Sequence, residues 1–313
     1  MFCFLCGSTF AQTTITKSFT SSDSWEVPTG VTSLTIECIG GGGAGGYVHG
    51  NSLAFRNSGG GGGGAYARKV VTVTPGASVE VTVGNGGQAW ATAGNQYDGG
   101  DSYVNINSVL TVKAAGGKTV KGTNTTTGAA GGAIGDCIGD QIYAGGKGAN
   151  EYTTLGILKY PGGGGGAAGS TGPGNAGNNG DGGAARPDYG GKGGDSRIVI
   201  GTGRSGENYG GGGSGSQCTG IGGEYGGSGA KGFVIITYQA PPVLAVDDMA
   251  DTVCSGAIFD ITPTGTIPVG TTYSWSAPSV AGISGTTSGS GASNISGTLT
   301  NSTINDIDVV YNV

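Results

Sequence analysis

Charge is scarce in this 313-residue chain, with Asp, Glu, Lys and Arg together making up 11% of it, and there is a single histidine, His49. One imidazole, with no Ser or Cys in a nucleophile setting, gives no basis for a triad. Basic residues stop early. Fourteen acidic and fourteen basic residues precede Pro241, and six Asp with no Lys or Arg follow, so the net charge of -6 belongs to the tail. No basic patch exists to neutralise phosphates, which excludes nucleic acid and anionic membrane surfaces as expected partners. No stretch reaches the ~18 apolar residues of a membrane span. What remains is a neutral surface rich in Thr, Ser, Asn and Gly, suited to the extracellular side.

Glycine fills the gap, with 73 residues in all and 42 of the 116 between Ala114 and Gly229. It often recurs every third residue, at Gly174, Gly177, Gly180 and Gly183, at Gly220, Gly223, Gly226 and Gly229, at Gly166, Gly169 and Gly172, and at Gly40, Gly43 and Gly46. A period of three is that of the polyproline II helix. Gly on one face would let such helices touch backbone to backbone, as polyglycine II. A flexible low-complexity linker is the rival reading. Order is favoured by the periodicity, by interspersed apolar residues such as Ile134, Ile142, Leu155 and Ile198, and by the strands that bracket the run. Fixing Gly costs about 0.5–1 kcal/mol more than fixing Ala, so order requires backbone hydrogen bonds to several neighbours, hence a bundle. Proline is too sparse in the run (Pro161, Pro173, Pro187) for a collagen-like triple helix.

Around the run the pattern is β. Strands are expected from Thr14 to Ile39 with a turn at Pro28 to Gly30, a hairpin over Ala65 to Gly87 turning at Pro75-Gly76, and strands at Asp101 to Ile106 and Val109 to Ala114. Lys231 to Tyr238 closes the domain and is expected to pair with Ser33 to Ile39. Met1 to Ala11 is apolar and ends in small residues, so residues 1–13 read as the remnant of a secretory signal peptide lacking its basic start. Cys3 and Cys6 would leave with it. Cys38, Cys137, Cys218 and Cys254 are spaced too widely for a zinc knuckle, and an oxidising compartment suggests a Cys137–Cys218 disulfide.

Trp25-x-Val-Pro-x-Gly-Val, LTIECIGGGGAGG, GGGGGGAYARKVVTVTPGASVEVTVGNGG, PGGGGGAAG and KGFVIITY, in that order over 14–239, resemble the glycine-rich domain of phage tail-fibre adhesins and bacterial surface proteins. The resemblance implies a small β-sandwich bearing a bundle of polyglycine II helices, with receptor contact through the connecting loops. After a linker at 240–242, VCSGAIFDITPTGTIPVGTTYSWSAP, ISGTTSGSGASNISGTLTN and DIDVVYNV (243–313) resemble the PKD-like domain of surface proteins of Bacteroidetes-type bacteria. That implies an immunoglobulin-like sandwich with Trp275 in its core and Asp308 to Val313 as a strand. In that family such modules come in tandem before a sorting domain, so a C-terminally truncated chain with further domains is expected. The fold class is therefore all-β with polyglycine II.

Catalytic motifs are decoys. Gly117-Lys118-Thr119 lacks the earlier Gly of a phosphate loop, and Gly190 to Asp195 approaches a calcium-binding repeat but has Arg197 at its apolar position and no tandem copies. No catalytic residue, metal or cofactor is expected, and the protein reads as a non-enzyme. Aromatic residues instead interrupt the glycine pattern. Tyr47, Phe55, Trp90, Tyr97, Tyr143, Tyr152, Tyr160, Tyr189 and Tyr209, with His49 and Arg56, are the candidate ligand contacts, since Tyr and Trp on a rigid base make contact area at low entropic cost. The same rings serve equally as plugs capping the bundle. Tyr47 to Asn57 and Ile134 to Tyr160 are the longest candidate loops. The expectation is a secreted, outer-surface adhesin-like protein binding a glycan or protein receptor. The alternatives are a spacer or matrix element and the non-catalytic part of a larger secreted enzyme; ice binding is a remote fourth.

Overall fold

The computed structural model describes residues 13–88, 97–240, 243–244, 249–267 and 271–313. It divides into a unit spanning Thr16–Tyr238 and another built around Gln239–Val313. Strands in and at the edge of the first are β1 (Thr14–Phe19), β2 (Asp23–Glu26), β3 (Ser33–Ile39), β4 (Val48–Asn57), β5 (Tyr66–Thr72), β6 (Ser78–Thr82), β7 (Ser102–Ile106), β8 (Val109–Ala114), β9 (Gln141–Tyr143), β10 (Tyr152–Thr154), β11 (Leu158–Tyr160), β12 (Gln217–Glu224) and β13 (Phe233–Gln239). A five-stranded sheet runs β1-β13-β3-β5-β9 and a four-stranded sheet β2-β6-β7-β8.

Period-two alternation makes the sandwich. Leu34, Ile36 and Cys38 of β3, with Val234 and Ile236 of β13, are fully buried, as are Val79, Val104 and Val112 of the facing sheet. β3 pairs antiparallel with β13 as its sequence suggests, Phe233 opposite Ile39 and Thr237 opposite Thr35. The expected Ala65 to Gly87 hairpin is not one. β5 belongs to the five-stranded sheet and β6 to the other. The Pro75-Gly76 corner, with Gly76 at φ 79° and its N–H donated to Val27 O, carries the chain between sheets, so that both Val-rich strands bury a face against each other's sheet. On the other side of the first sheet Ile39, Tyr66, Phe233 and Ile235 pack on Ala167 and Ala168, and there the glycine segments begin.

From this base the chain goes out and back repeatedly: out along 40–46, back along 58–65, out along 115–121, back along 128–133, out along 144–150, back along 161–168, and so on to 226–230. Each residue of a central segment bonds a different neighbour, and the assignment repeats every three. Gly60 and Gly63 donate to Ala149 and Gly146, Gly61 and Gly64 to Gly213 and Gly210, and Gly62 and Ala65 to Lys118 and Ala115. The carbonyls reach three further segments, Gly60 and Gly63 accepting from Ala129 and Gly132, Gly61 and Gly64 from Gly165 and Ala168, and Gly62 and Ala65 from Gly43 and Gly40. The 162–168 segment follows the same rule. Gly162, Gly165 and Ala168 donate to Ser58, Gly61 and Gly64, while Gly164 and Ala167 donate to Gly194 and Gly191.

With neighbours on every side no direction is left for a side chain. A Cβ on Gly62 would lie 1.9 Å from Ala130 O, and one on Gly60 2.0 Å from Gly163 O. Hence the unbroken runs Gly59 to Gly64 and Gly162 to Gly166 are central. Outer segments admit a non-glycine residue every third position, facing out: Lys118 and Lys121, Ala130 and Ala133, Lys147 and Asn150 are all exposed. The expected period-three register at Gly220 and Gly223 does not hold. Both lie in β12, paired with β4, because the alternation from Gln217 to Glu224 meets a strand-length partner in Val48–Asn57, which reads as a loop in the sequence. Gly169 to Gly172 is likewise a tight turn closed by mutual hydrogen bonds.

The second unit is also all β. β14 (Val243–Leu244), β15 (Ile258–Ile261), β16 (Gly265–Thr266), β17 (Tyr273–Trp275), β18 (Ile283–Ser284), β19 (Gly289–Ala292), β20 (Ile295–Thr298) and β21 (Thr300–Asn301) form the ladders β14-β16, β15-β20, β17-β19 and β18-β21. Phe259 and Ile295 are its buried centre, with Tyr311 against Phe259 at 5.4 Å. Trp275 is half-buried, lying over Gly289, where any Cβ would strike its ring. Residues 308–313 form no strand; Tyr311 is held by its ring rather than by a ladder.

Candidate functional site

The out-and-back path gathers one set of connections at the end remote from the sandwich. Backbone and side-chain bonds tie that end together: Gly46 to Gly59, Asn124 N–H to Tyr47 O, Glu151 N–H to Thr126 O, and Ser196 N–H to Gly180 O. Buried Ser58 and Ser216 both donate to Gly46 O, at 2.7 and 2.8 Å.

Three fingers project from it. The β4–β12 ribbon carries Leu53 and Ile221, exposed at 90% and 93%, with Phe55 beside them. The β10–β11 hairpin carries Leu155 and Ile157 at 88% and 81%, with Leu158. The 195–202 loop carries Ile198, Val199 and Ile200, all exposed. Gln217 joins the three. Its buried side-chain Nε2 donates to Asn57 Oδ1 at 2.8 Å and to Lys159 O at 3.0 Å, and its carbonyl accepts from Gly201 N–H at 2.8 Å.

The sequence candidates divide between the two ends. Tyr47, His49, Phe55, Arg56, Tyr152 and Tyr160 lie at the finger end. Tyr47 packs on Tyr225 at 5.5 Å, its Oη lies 3.3 Å from His49 Nδ1, and its hydroxyl pKa is raised by burial first, then by Tyr225 and Cys218. Tyr152 and Tyr160 face each other across the hairpin. Tyr97 sits on the flank, its carbonyl accepting from Thr119 Oγ1 at 2.6 Å. Tyr143 and Tyr209 pack against the core at the base; Tyr209 stacks on Phe233 and Tyr189 meets the same ring at a tilt. Tyr143 and Tyr209 are partly buried there, whereas Tyr189 stays 55% exposed. Trp90 lies outside the described residues.

The sequence reading missed the aliphatic tips and Gln217. Leu155 and Ile198 are named there only as signs of order, and Gln217 carries no sequence signal, being one polar residue among many. The expected Cys137–Cys218 bond is absent, and all four described cysteines are free thiols. Cys137 Sγ sits by Ala115 N–H and Ala133 O near the sandwich, whereas Cys218 lies opposite Arg56 in the finger ribbon. The bundle length separates them. Burial pushes the Cys38 thiol far up, so it is inert. Among the described residues no group of three His, Cys, Asp or Glu side chains is placed to hold a metal, and no helix is long and apolar enough to cross a membrane.

A family model described as a glycine-rich domain matches residues 14–239. The chain belongs to the glycine-rich domain family. A second model, a PKD-like domain, matches residues 251–313, and an immunoglobulin-like sandwich is the fold it implies for the second unit. No curated protein matches the sequence. Both domain types are non-catalytic, and the combination of glycine-rich and PKD-like domains is consistent with a surface or adhesin-like protein.

Proposed function

We propose that the protein is a secreted, outer-surface adhesin whose finger end binds a receptor, a surface protein in preference to a neutral glycan, and whose glycine segments are a polyglycine II bundle acting as the rigid mount. The observation that carries this reading is Leu155. It occupies the left-handed region at φ 51°, at the first of the two central positions of the β-turn that Ile157 N–H closes on Thr154 O. That turn lies within the three-residue connection of the hairpin, where Asn is a residue that suits the backbone. A bulky side chain there is strained, and its side chain, 88% exposed, buries nothing that offsets the strain. Strain without folding benefit points to use elsewhere. Exposed aliphatic tips match an apolar protein surface better than the hydroxyls of a sugar.

Replacing Leu155 with Asn tests the reading. Stability should stay the same or rise, by at most the ~1–2 kcal/mol that the left-handed conformation costs an ordinary side chain and that Asn in part avoids, while cell attachment falls. Attachment unchanged in L155N, and again when Leu53, Ile157, Ile198 and Ile221 are all replaced by Ser in a chain that still folds, would leave the spacer alternative in its place. The bundle itself is tested by amide exchange. Gly59 to Gly64 and Gly162 to Gly166 should be the slowest amides, and exchange there at free-peptide rates would refute a polyglycine II mount.

A further inference from the structure

We infer that the flank of the bundle below the β10–β11 finger carries a separate site for an acidic sugar. Between the outer segment 144–150 and its neighbour 174–179 lies an open depression of about 350 Å³, at the lower end of the ~300–1,000 Å³ of small-molecule sites. Its rim is polar, formed by Lys147, Asn150, Glu151 and Asn179, and its floor is made of small residues such as Ala149, Ala176 and Gly177. The rigidity is supplied by backbone bonds: Gly177 N–H donates to Lys147 O at 2.8 Å and Gly163 N–H to Asn179 O at 2.8 Å. A floor with no side chain beyond Cβ lets a flat ring approach closely.

The rim groups are poised differently. Asn150 Oδ1 accepts from Gly128 N–H at 2.9 Å, which fixes the side chain and leaves its NH2 for a ligand. Asn179 holds its place in the left-handed region at φ 52°, a conformation Asn tolerates. Glu151 is already paired with Lys159 at 3.1 Å. Lys147 has no carboxylate within salt-bridge distance among the described residues. Amide donors, a carboxylate acceptor and one uncompensated ammonium around a flat floor suit a pyranose bearing a carboxylate. A neutral sugar would leave the charge unused. The site shares no residue with the aliphatic tips, so it goes beyond the adhesin reading and stands without it.

The test is amide NMR titration of the full 15N-labelled chain with D-glucuronate and N-acetylneuraminate in separate arms, D-glucose and acetate as controls, repeated on K147A. At least one acidic sugar should shift the amides of Lys147 to Glu151 and Ala176 to Asn179, and which of the two does so separates a uronic acid from a sialic acid. Glucose should shift none, acetate should bind at least about tenfold more weakly, and K147A should weaken binding about tenfold, as loss of a charge-assisted bond does. No shift with either sugar acid, equal shifts with acetate, or an unchanged K147A would each overturn the inference. A flat titration alongside finger-dependent attachment sinks this site alone; finger-independent attachment with a specific titration sinks the adhesin reading alone.

Discussion

Gly62 and Gly135 are the same residue under opposite constraints. A Cβ on Gly62 would be driven into the backbone of Ala130, and backbone in a segment bonded on all sides has nowhere to go; one on Gly135 would meet nothing within 4 Å. Gly62→Ala should therefore destabilise by about 1–3 kcal/mol or more, the cost of overpacking a filled interior. Gly135→Ala, where φ is not positive, should stabilise by about 0.4–1 kcal/mol through the unfolded chain. Urea midpoints of the two variants check the pair, and similar midpoints would contradict an interior made of backbone. Part of this is legible in the sequence, since an unbroken glycine run means no free direction and Gly-Gly-x means one. Leu155 was not legible, because nothing in a run of letters says that a leucine sits at positive φ.

At the scale of elements, outer segments are clipped to one another by single side chains. Asp195 is the clearest clip. Its Oδ1 accepts from Gly182 N–H at 2.8 Å and its Oδ2 is paired with Lys192 Nζ at 2.6 Å, joining the returning 182–184 stretch to the outgoing 191–194 segment. Burial alone would raise its pKa, but the Lys192 and Gly182 hydrogen bonds outweigh it and the net direction is down. A carboxylate held below its unfolded value of about 3.8 contributes stability that is fully present above that value and lost as pH falls through the folded pKa. Stability measured against pH should accordingly drop below about pH 4, and Asp195→Asn should flatten that acid limb while lowering the neutral plateau. An acid limb identical in the variant would show that the clip carries no weight. The sequence signals the sandwich strands well, because alternation at Ser33 to Ile39 and Phe233 to Gln239 is a local property. It does not signal β4 or β12, whose glycines and polar residues become strands only by finding each other 160 positions apart in the register Gln217 to Asn57.

The molecule as a whole has two kinds of interior, apolar between the sheets and peptide within the bundle. Unfolding of apolar surface raises the heat capacity and unfolding of polar surface lowers it. The unit Thr16–Tyr238 should unfold with a heat-capacity increment per residue well below the usual ~12–15 cal/mol/K, so its stability should fall almost linearly with temperature, with little of the usual curvature. Scanning calorimetry of the chain reads this directly; an ordinary increment would mean that the glycine segments do not unfold with the sandwich.

The entry and exit strands of this unit lie side by side. β1 and β13 are neighbours in the five-stranded sheet, Thr14 bonding Gln239 and Thr16 meeting Thr237, at the end opposite the fingers. A molecule held by a ligand at its fingers and pulled from Gln239 is loaded along the segment axes. The bonds between segments run crosswise to that axis, so they are sheared together rather than opened one after another. Pulling apart the two chain ends would instead peel β1 from β13 in sequence. The bonds between segments thus make a stiff strut along the segment axes, while the β1–β13 ladder is a zipper between the two ends of the unit.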